Sequence, residues 1–201
     1  IVDCDWSSDV CSSDLFDFGG SNTSPATNQD TTSLGPPNLR FKTADDATID
    51  NQNPIPIPSG AAVNSFWKQI YLKVTGGTFT QIDNVKFYTD ATPFGTGITT
   101  YVGDQMPTKN SGSDAGYVVA TGTVGTSGNA MVASHAGVSA QTDAFSFDSS
   151  SPKSITISEA GSLMNATNET TDYLVCQMNV ASTAGPGNLA DETWTYQYDE
   201  I

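Results

Sequence analysis

Residues 66–90 read FWKQIYLKVTGGTFTQIDNVKFYTD, and this stretch decides the fold class. Ile70, Leu72 and Val74 alternate with Tyr71 and Lys73. That is the two-residue period of a strand with one buried face. Thr75-Gly76-Gly77-Thr78 follows, and adjacent glycines supply the positive φ angles that a tight hairpin needs. The returning arm starts at Phe79. Its apolar phase then slips, with Ile82 on even numbers and Val85 and Phe87 on odd ones, which places a bulge or short turn at Asp83-Asn84. The reading predicts a hairpin at the centre of a β-sheet.

Outward from this block the chain alternates short apolar runs with turn residues. Leu39 to Lys42, Ile98 to Val102, Tyr117 to Ala120, Ala144 to Phe147 and Ser154 to Ser158 each read as a strand. Ile98, Thr100 and Val102 share one face, and so do Ile155 and Ile157. Tyr173 to Val180 is the second strong strand, with Leu174, Cys176, Met178 and Val180 on one face and Tyr173, Val175, Gln177 and Asn179 on the other. Glu192 to Tyr198 closes the set, with Trp194, Tyr196 and Tyr198 on one face. Asp148-Ser-Ser-Ser-Pro152 reads as a turn, and Glu159 to Asn168 as a segment with one helical turn. Asp104 to Gly116 and Thr121 to Ser139 read as polar loops. Thr, Ser, Gly and Asn abound while strong helix formers are sparse. These features predict an all-β chain: an antiparallel β-sandwich of about 8–10 strands, of jelly-roll or Ig-like Greek-key order, which the sequence does not separate.

The chain has 201 residues, which suits one domain. Its start is unusual. Cys4 to Leu15, CDWSSDVCSSDL, resembles the translation in one frame of a common sequencing-library adapter. Residues 1–15 are therefore set aside as an artefact. Residues 16–35, polar and turn-rich, are expected to be a flexible arm, and residues 36–201 a single domain. Of three cysteines only Cys176 then remains, inside an apolar strand, so no disulfide framework or cysteine metal site is expected. The formal charge is -15, and it stays strongly negative without Asp3, Asp5, Asp9 and Asp14. Such a surface repels nucleic acid and anionic membranes. No apolar run reaches the length of a membrane-spanning helix.

Chemistry is thinly signposted. His135 is the one histidine and no G-x-S-x-G turn surrounds it, so a Ser-His-Asp arrangement is not expected. Zinc lacks ligands for the same reason, and no phosphate-binding G-x-x-x-x-G-K-[ST] loop occurs. No catalytic residue is assigned. Calcium is the one cofactor the acids would suit, with Asp45, Asp46 and Asp50 as candidate ligands, although they match no D-x-[DN]-x-[DN]-G loop. Trp67, Tyr101 and Trp194 are the aromatics on which a glycan could stack. Pro54-Ile55-Pro56-Ile57-Pro58 cannot sit inside a sheet, because alternating prolines remove every second donor. Pro54, Ile55, Pro56 and Ile57, with Trp194, Tyr196 and Tyr198, are the candidate contacts with other subunits.

Two segments carry a resemblance. FWKQIYLKVTGGTFTQIDNVKFYTD and DYLVCQMNVASTAGPGNLADETWTYQYDE are similar to segments of small structural-type proteins of environmental tailed phages and related viruses. Those proteins carry W-K-x-x-Y-L-x-V-T-G-x-F-x-Q-I-x-N-V-x-F-Y and end in Y-L-V-x-Q-x-x-V-x-S-T-A-x-P-G…E-T-F-T-x-Q-Y-D-E. The matching residues are Trp67 through Tyr88 and Tyr173 through Glu200; Asp104 to Ser139 is not covered. The resemblance implies a non-enzymatic β-sandwich component of the virion, a head decoration or tail-associated protein. Its partners would be copies of itself or other virion proteins. The alternative is a secreted or cell-surface β-sandwich module, either a filament subunit or a glycan-binding domain.

Overall fold

The computed structural model describes residues 2–4, 14–19, 29–30, 41–44, 51–74, 76–105, 122–131, 141–158, 160–190 and 192–201. These residues are essentially all-β. In chain order the strands are β1 (Val2–Cys4), β2 (Asp14–Gly19), β3 (Gln29–Asp30), β4 (Val63–Asn64), β5 (Lys68–Val74), β6 (Ile82–Thr89), β7 (Ile98–Gln105), β8 (Gly122–Thr123), β9 (Ser127–Gly128), β10 (Thr142–Asp143), β11 (Lys153–Ser154), β12 (Tyr173–Val180) and β13 (Trp194–Glu200). Every pairing is antiparallel. One sheet has the order β1-β13-β6-β11; a larger one has the order β10-β7-β12-β5-β2-β3, with β4 also on β12. β8 and β9 form a separate small pair.

The expected central hairpin is not one. β5 and β6 lie in different sheets: β5 pairs with β12 and β2, and β6 pairs with β13 and β11. Residues 76–81 therefore lie on the passage from one sheet to the other, with Gly77 at φ 115. The apolar alternation was read correctly, since Ile70, Leu72, Val74, Ile82, Val85 and Phe87 are all buried in one cluster. In a hairpin those side chains would stand side by side on one sheet face. Here they come from two sheets. The alternation is the same in both cases, so it does not choose between them. What decides is that β12 and β13 are as apolar as β5 and β6 and take their hydrogen bonds.

The phase slip in β6 has its structural cause. Lys86 pairs with Gln197 and Asp83 with Asp199, so β6 spends one residue more than β13 across this interval. Asn84 takes that place with φ 51, a conformation Asn tolerates better than most residues. Ile82 and Val85 are both buried as a result, while Asn84 is exposed. Phe87 then meets Trp194 (5.3 Å between ring centroids, near perpendicular) and Tyr196 (5.9 Å) from β13. Such edge-to-face pairs add about 0.5–1.5 kcal/mol each beyond burial.

β12 is buried on both faces, not one. Leu174 and Cys176 enter the main cluster, which also holds residues of β5, β6, β7 and β13. Met178 and Val180 pack with Ala184, Ile55 and Val63. On the opposite face Val175 packs with Trp67 and Met131, and Tyr173 meets Tyr71 edge-on at 5.4 Å.

A second bulge lies where β4 and β5 share one edge of β12. Asn64 pairs with Asn179 and Lys68 with Cys176, so Ser65–Trp67 carry one extra residue. The Ser65 hydroxyl accepts from the Met178 N–H (3.0 Å) and the Ser65 N–H donates to the Met178 carbonyl (2.8 Å). Gln177 completes the repair. Its amide donates to the carbonyls of Ser65 (2.8 Å) and Asn129 (2.7 Å) and accepts from the Met131 N–H (2.7 Å).

Several local expectations are corrected. Ala144–Ser146 is a single 3-10 turn rather than a strand, with the Asp143 carboxylate accepting from the Phe145 N–H at its start. Strand pairing after the Asp148 turn is confined to Lys153–Ser154, although Ile155 and Ile157 are buried as expected. Residues 160–168 contain no helix; Met164 instead bridges Ile82, and Thr170 bridges Lys73. Phe41 and Lys42 are not in a strand, yet the Lys42 carbonyl accepts from the Phe66 N–H (2.8 Å). Near the N-terminus, β1 runs along β13 and β2 runs along β5 with six paired positions. The backbone of residues 2–4 thus lines one edge of the smaller sheet, and that of residues 14–19 lies between β5 and the edge strand β3 of the larger one. Tyr117 to Ala120 lies outside the described residues.

Candidate functional site

The charged residues that converge are not those singled out above. Asp45, Asp46, Asp50 and His135 lie outside the described residues. Among the described residues no three of His, Cys, Asp and Glu gather to hold a metal ion. Trp194, Tyr196 and Tyr198 are buried in the chain's own main cluster. Of the proline segment, Ile55 tucks against the Met178–Val180 cluster while Pro54, Pro56 and Ile57 are exposed, Ile57 by 42 %. Trp67 is buried, and its indole N–H donates to the Asn129 carbonyl at 2.9 Å; Tyr101 is half-buried beside it.

The convergence is between the sheets, at the β7 and β11 side. Register fixes it. Asp104 on β7 lies directly opposite Leu174 of β12, so both side chains leave the same sheet face, and Leu174 belongs to the main cluster. Lys153 on β11 lies directly opposite Phe87 of β6, itself opposite Tyr196 of β13; Phe87 and Tyr196 belong to the same cluster. Lys153 Nζ donates to Asp104 Oδ2 at 2.9 Å, with side-chain exposures of only 16 % and 25 %. The ammonium also sits 5.7 Å from the Phe147 ring centroid, a favourable cation–π placement. The pair ties one sheet to the other.

Asp172 lies within electrostatic reach of Asp104. It lies two positions before Leu174 and so shares the parity of the face that carries Asp104. Its N–H donates to the Thr156 carbonyl (2.9 Å). Its Oδ2 accepts from the hydroxyls of Thr156 (2.5 Å) and Ser158 (3.0 Å). Its Oδ1 is buried with no hydrogen-bond partner among the described residues. Burial pushes the Asp172 carboxyl above the usual carboxylate range; the Thr156 and Ser158 hydrogen bonds pull it back, and the nearby Asp104 charge pushes it further up. Burial likewise pushes the Tyr196 phenol well up, helped by Cys176 and Asp104, and pushes up the Cys176 thiol. A cation, the carboxylate it touches and a second, buried carboxyl that feels the Asp104 charge therefore gather on this side of the fold.

A sequence signal for these three residues exists and was missed. Lys153 has the parity of buried Ile155 and Ile157, Asp104 that of Thr100 and Val102, and Asp172 that of Leu174 and Cys176. Each is a charge that extends an apolar alternation inward, where ions are costly unless paired. No family model, no curated protein and no solved structure matches the chain.

Proposed function

We propose that this chain is a non-enzymatic structural component of a virus particle, a head decoration or tail-associated protein, built as an antiparallel β-sandwich and acting through contacts with copies of itself or other virion proteins. The sandwich reading is supported by the main cluster, which takes residues from both sheets. The central neighbours β5–β12, β7–β12 and β6–β13 are distant in sequence, as in Greek-key and jelly-roll orders.

The observation that carries the reading is the Pro54–Pro58 segment. It runs outside both sheets, is anchored by Ile55 and presents Ile57 to solvent. An extended, donor-poor, partly apolar segment held on a rigid base suits burial against another subunit. Standard contacts bury about 1,600 Å² in total, for which such a segment would be a central anchor rather than the whole surface. Peptide mass spectrometry on density-purified particles from the source sample tests the setting: enrichment at structural-protein abundance is expected, and presence only in the cell-free secretome refutes it in favour of the surface-module reading. Ile57→Asp tests the contact. The variant is expected to fold as the parent does and to assemble less by light scattering; equal assembly refutes the role given to this segment.

A further inference from the structure

We propose that Lys153 and Asp104 are the two halves of an intramolecular amide cross-link that forms spontaneously in the folded chain and joins β11 of one sheet to β7 of the other. The proposal goes beyond the assembly reading and does not depend on it.

The reacting groups are already placed. Nζ lies 2.9 Å from Oδ2 of the carboxyl that would acylate it, so amine and carboxyl are held in the direct contact from which attack on Cγ starts. The fold holds both groups on inward-facing positions fixed by strand register. Such fixed apposition corresponds to effective concentrations of about 10⁵–10⁸ M, which offsets the preference of separate amines and acids to remain uncondensed in water. Phe147 packs over the ammonium and limits access of water from that side.

The steps balance. A proton passes from Nζ to the Asp104 carboxyl along the existing hydrogen bond, giving a neutral amine and a neutral acid. The amine lone pair attacks Cγ of Asp104, and a tetrahedral intermediate forms. Nitrogen then loses a proton and the departing hydroxyl gains one. The C–O bond breaks, the C–N bond remains, and one water leaves. Nothing is oxidised or reduced. Asp172 is the group suited to relay the proton. It is buried within electrostatic reach of Asp104, its Oδ2 is held by Thr156 and Ser158, and its Oδ1 is not engaged by any described residue. It ends the reaction in the protonation state in which it began.

The test is intact mass under denaturing conditions on the full purified chain, followed by peptide mapping. We expect the parent to be lighter than its sequence mass by one water, and a branched peptide to join Lys153 to Asp104. Trypsin should not cleave after Lys153. Lys153→Arg, which keeps the charge and the stacking on Phe147, should show the full mass. Asp104→Asn should still cross-link but lose ammonia instead of water. Asp172→Asn should fold, by near-ultraviolet circular dichroism, and show the full mass or cross-link at least tenfold more slowly. A folded parent at its full sequence mass overturns the proposal and leaves an ordinary ion pair. A water loss that persists in Lys153→Arg also overturns it, by placing the dehydration elsewhere. Unchanged cross-linking in Asp172→Asn overturns the relay role alone.

Discussion

Gln177 is where the stability of this fold is most exposed to a single change. Its side chain is 1 % exposed and reaches three backbone groups from two chain segments, with the Ser65 partner 112 positions away. Gln177→Met keeps the volume and drops the polar head. The buried Met131 N–H and the Ser65 carbonyl then lose their partner, while the Asn129 carbonyl keeps the Trp67 indole N–H. Each buried orphan costs about 1–3 kcal/mol, so the two together should cost about 2–6 kcal/mol. At about 2–4 °C per kcal/mol for a domain of this size, the midpoint should fall by about 4–24 °C. Gln177→Glu should be at least as damaging. It retains an acceptor for Met131 but sets a carboxylate, which has no donor, against two carbonyls. Equilibrium unfolding in urea, with calorimetry on the same samples, measures both. A Gln177→Met chain within about 0.5 kcal/mol of the parent, the range of inert surface changes, would show that the bulge at Ser65–Trp67 does not need this amide.

Three further outcomes follow from the geometry. Gly128→Ala should lose about 1–3 kcal/mol or fail to fold, because a Cβ there would overlap the Ser65 carbonyl oxygen and its neighbouring backbone; urea unfolding reads this. Asn84→Val should cost about 1–2 kcal/mol, since a β-branched residue resists the left-handed conformation, whereas Asn84→Gly should stay within a few tenths of the parent; equal effects of the two would argue against the bulge. The Asp148 carboxylate accepts from the Ser150 hydroxyl and the N–H groups of Ser150 and Ser151, which hold its carboxyl below the usual range. Its contribution is thus present at neutral pH and lost as pH falls from the usual carboxylate range through the lowered value. The melting difference between the parent and Asp148→Ala should close on acidification, and a difference that widens would refute the assignment.

Most strand positions were legible because burial imposes a period that any reader can count. Tyr173–Val180 is one strand with the bounds that its alternation implied, and the slip at Asp83-Asn84 marked a real bulge. Partnering was not legible. Ile70, Leu72 and Val74 announce a buried face, but nothing local says whether the facing residues come from a neighbouring strand or from another sheet. The double burial of β12 was also hidden, because Tyr173 and Gln177 read as an outer face until Tyr71 and Met131 cover them. The same holds for the charged corner. Parity pointed Asp104, Lys153 and Asp172 inward, yet only the assembled sheets bring Lys153 onto Asp104.

The passage from sheet to sheet at residues 76–81 has a consequence for how the chain comes to be folded. The long strands β5, β6 and β7 make no pairing with one another, and each keeps one edge for β12 or β13. Thr89 closes on Trp194 and Ile70 on Leu174, and Gln81 exchanges both backbone hydrogen bonds with Ile201. A nascent chain that has emerged as far as residue 170 therefore carries three apolar strands with neither sheet's central partner yet made. Folding of this kind is dominated by non-local closure and belongs to the millisecond-to-second class. During synthesis the open edges of these strands are exposed to association with other chains. Chaperone demand and losses to inclusion bodies should accordingly fall on chains interrupted before Trp194 rather than on the finished protein.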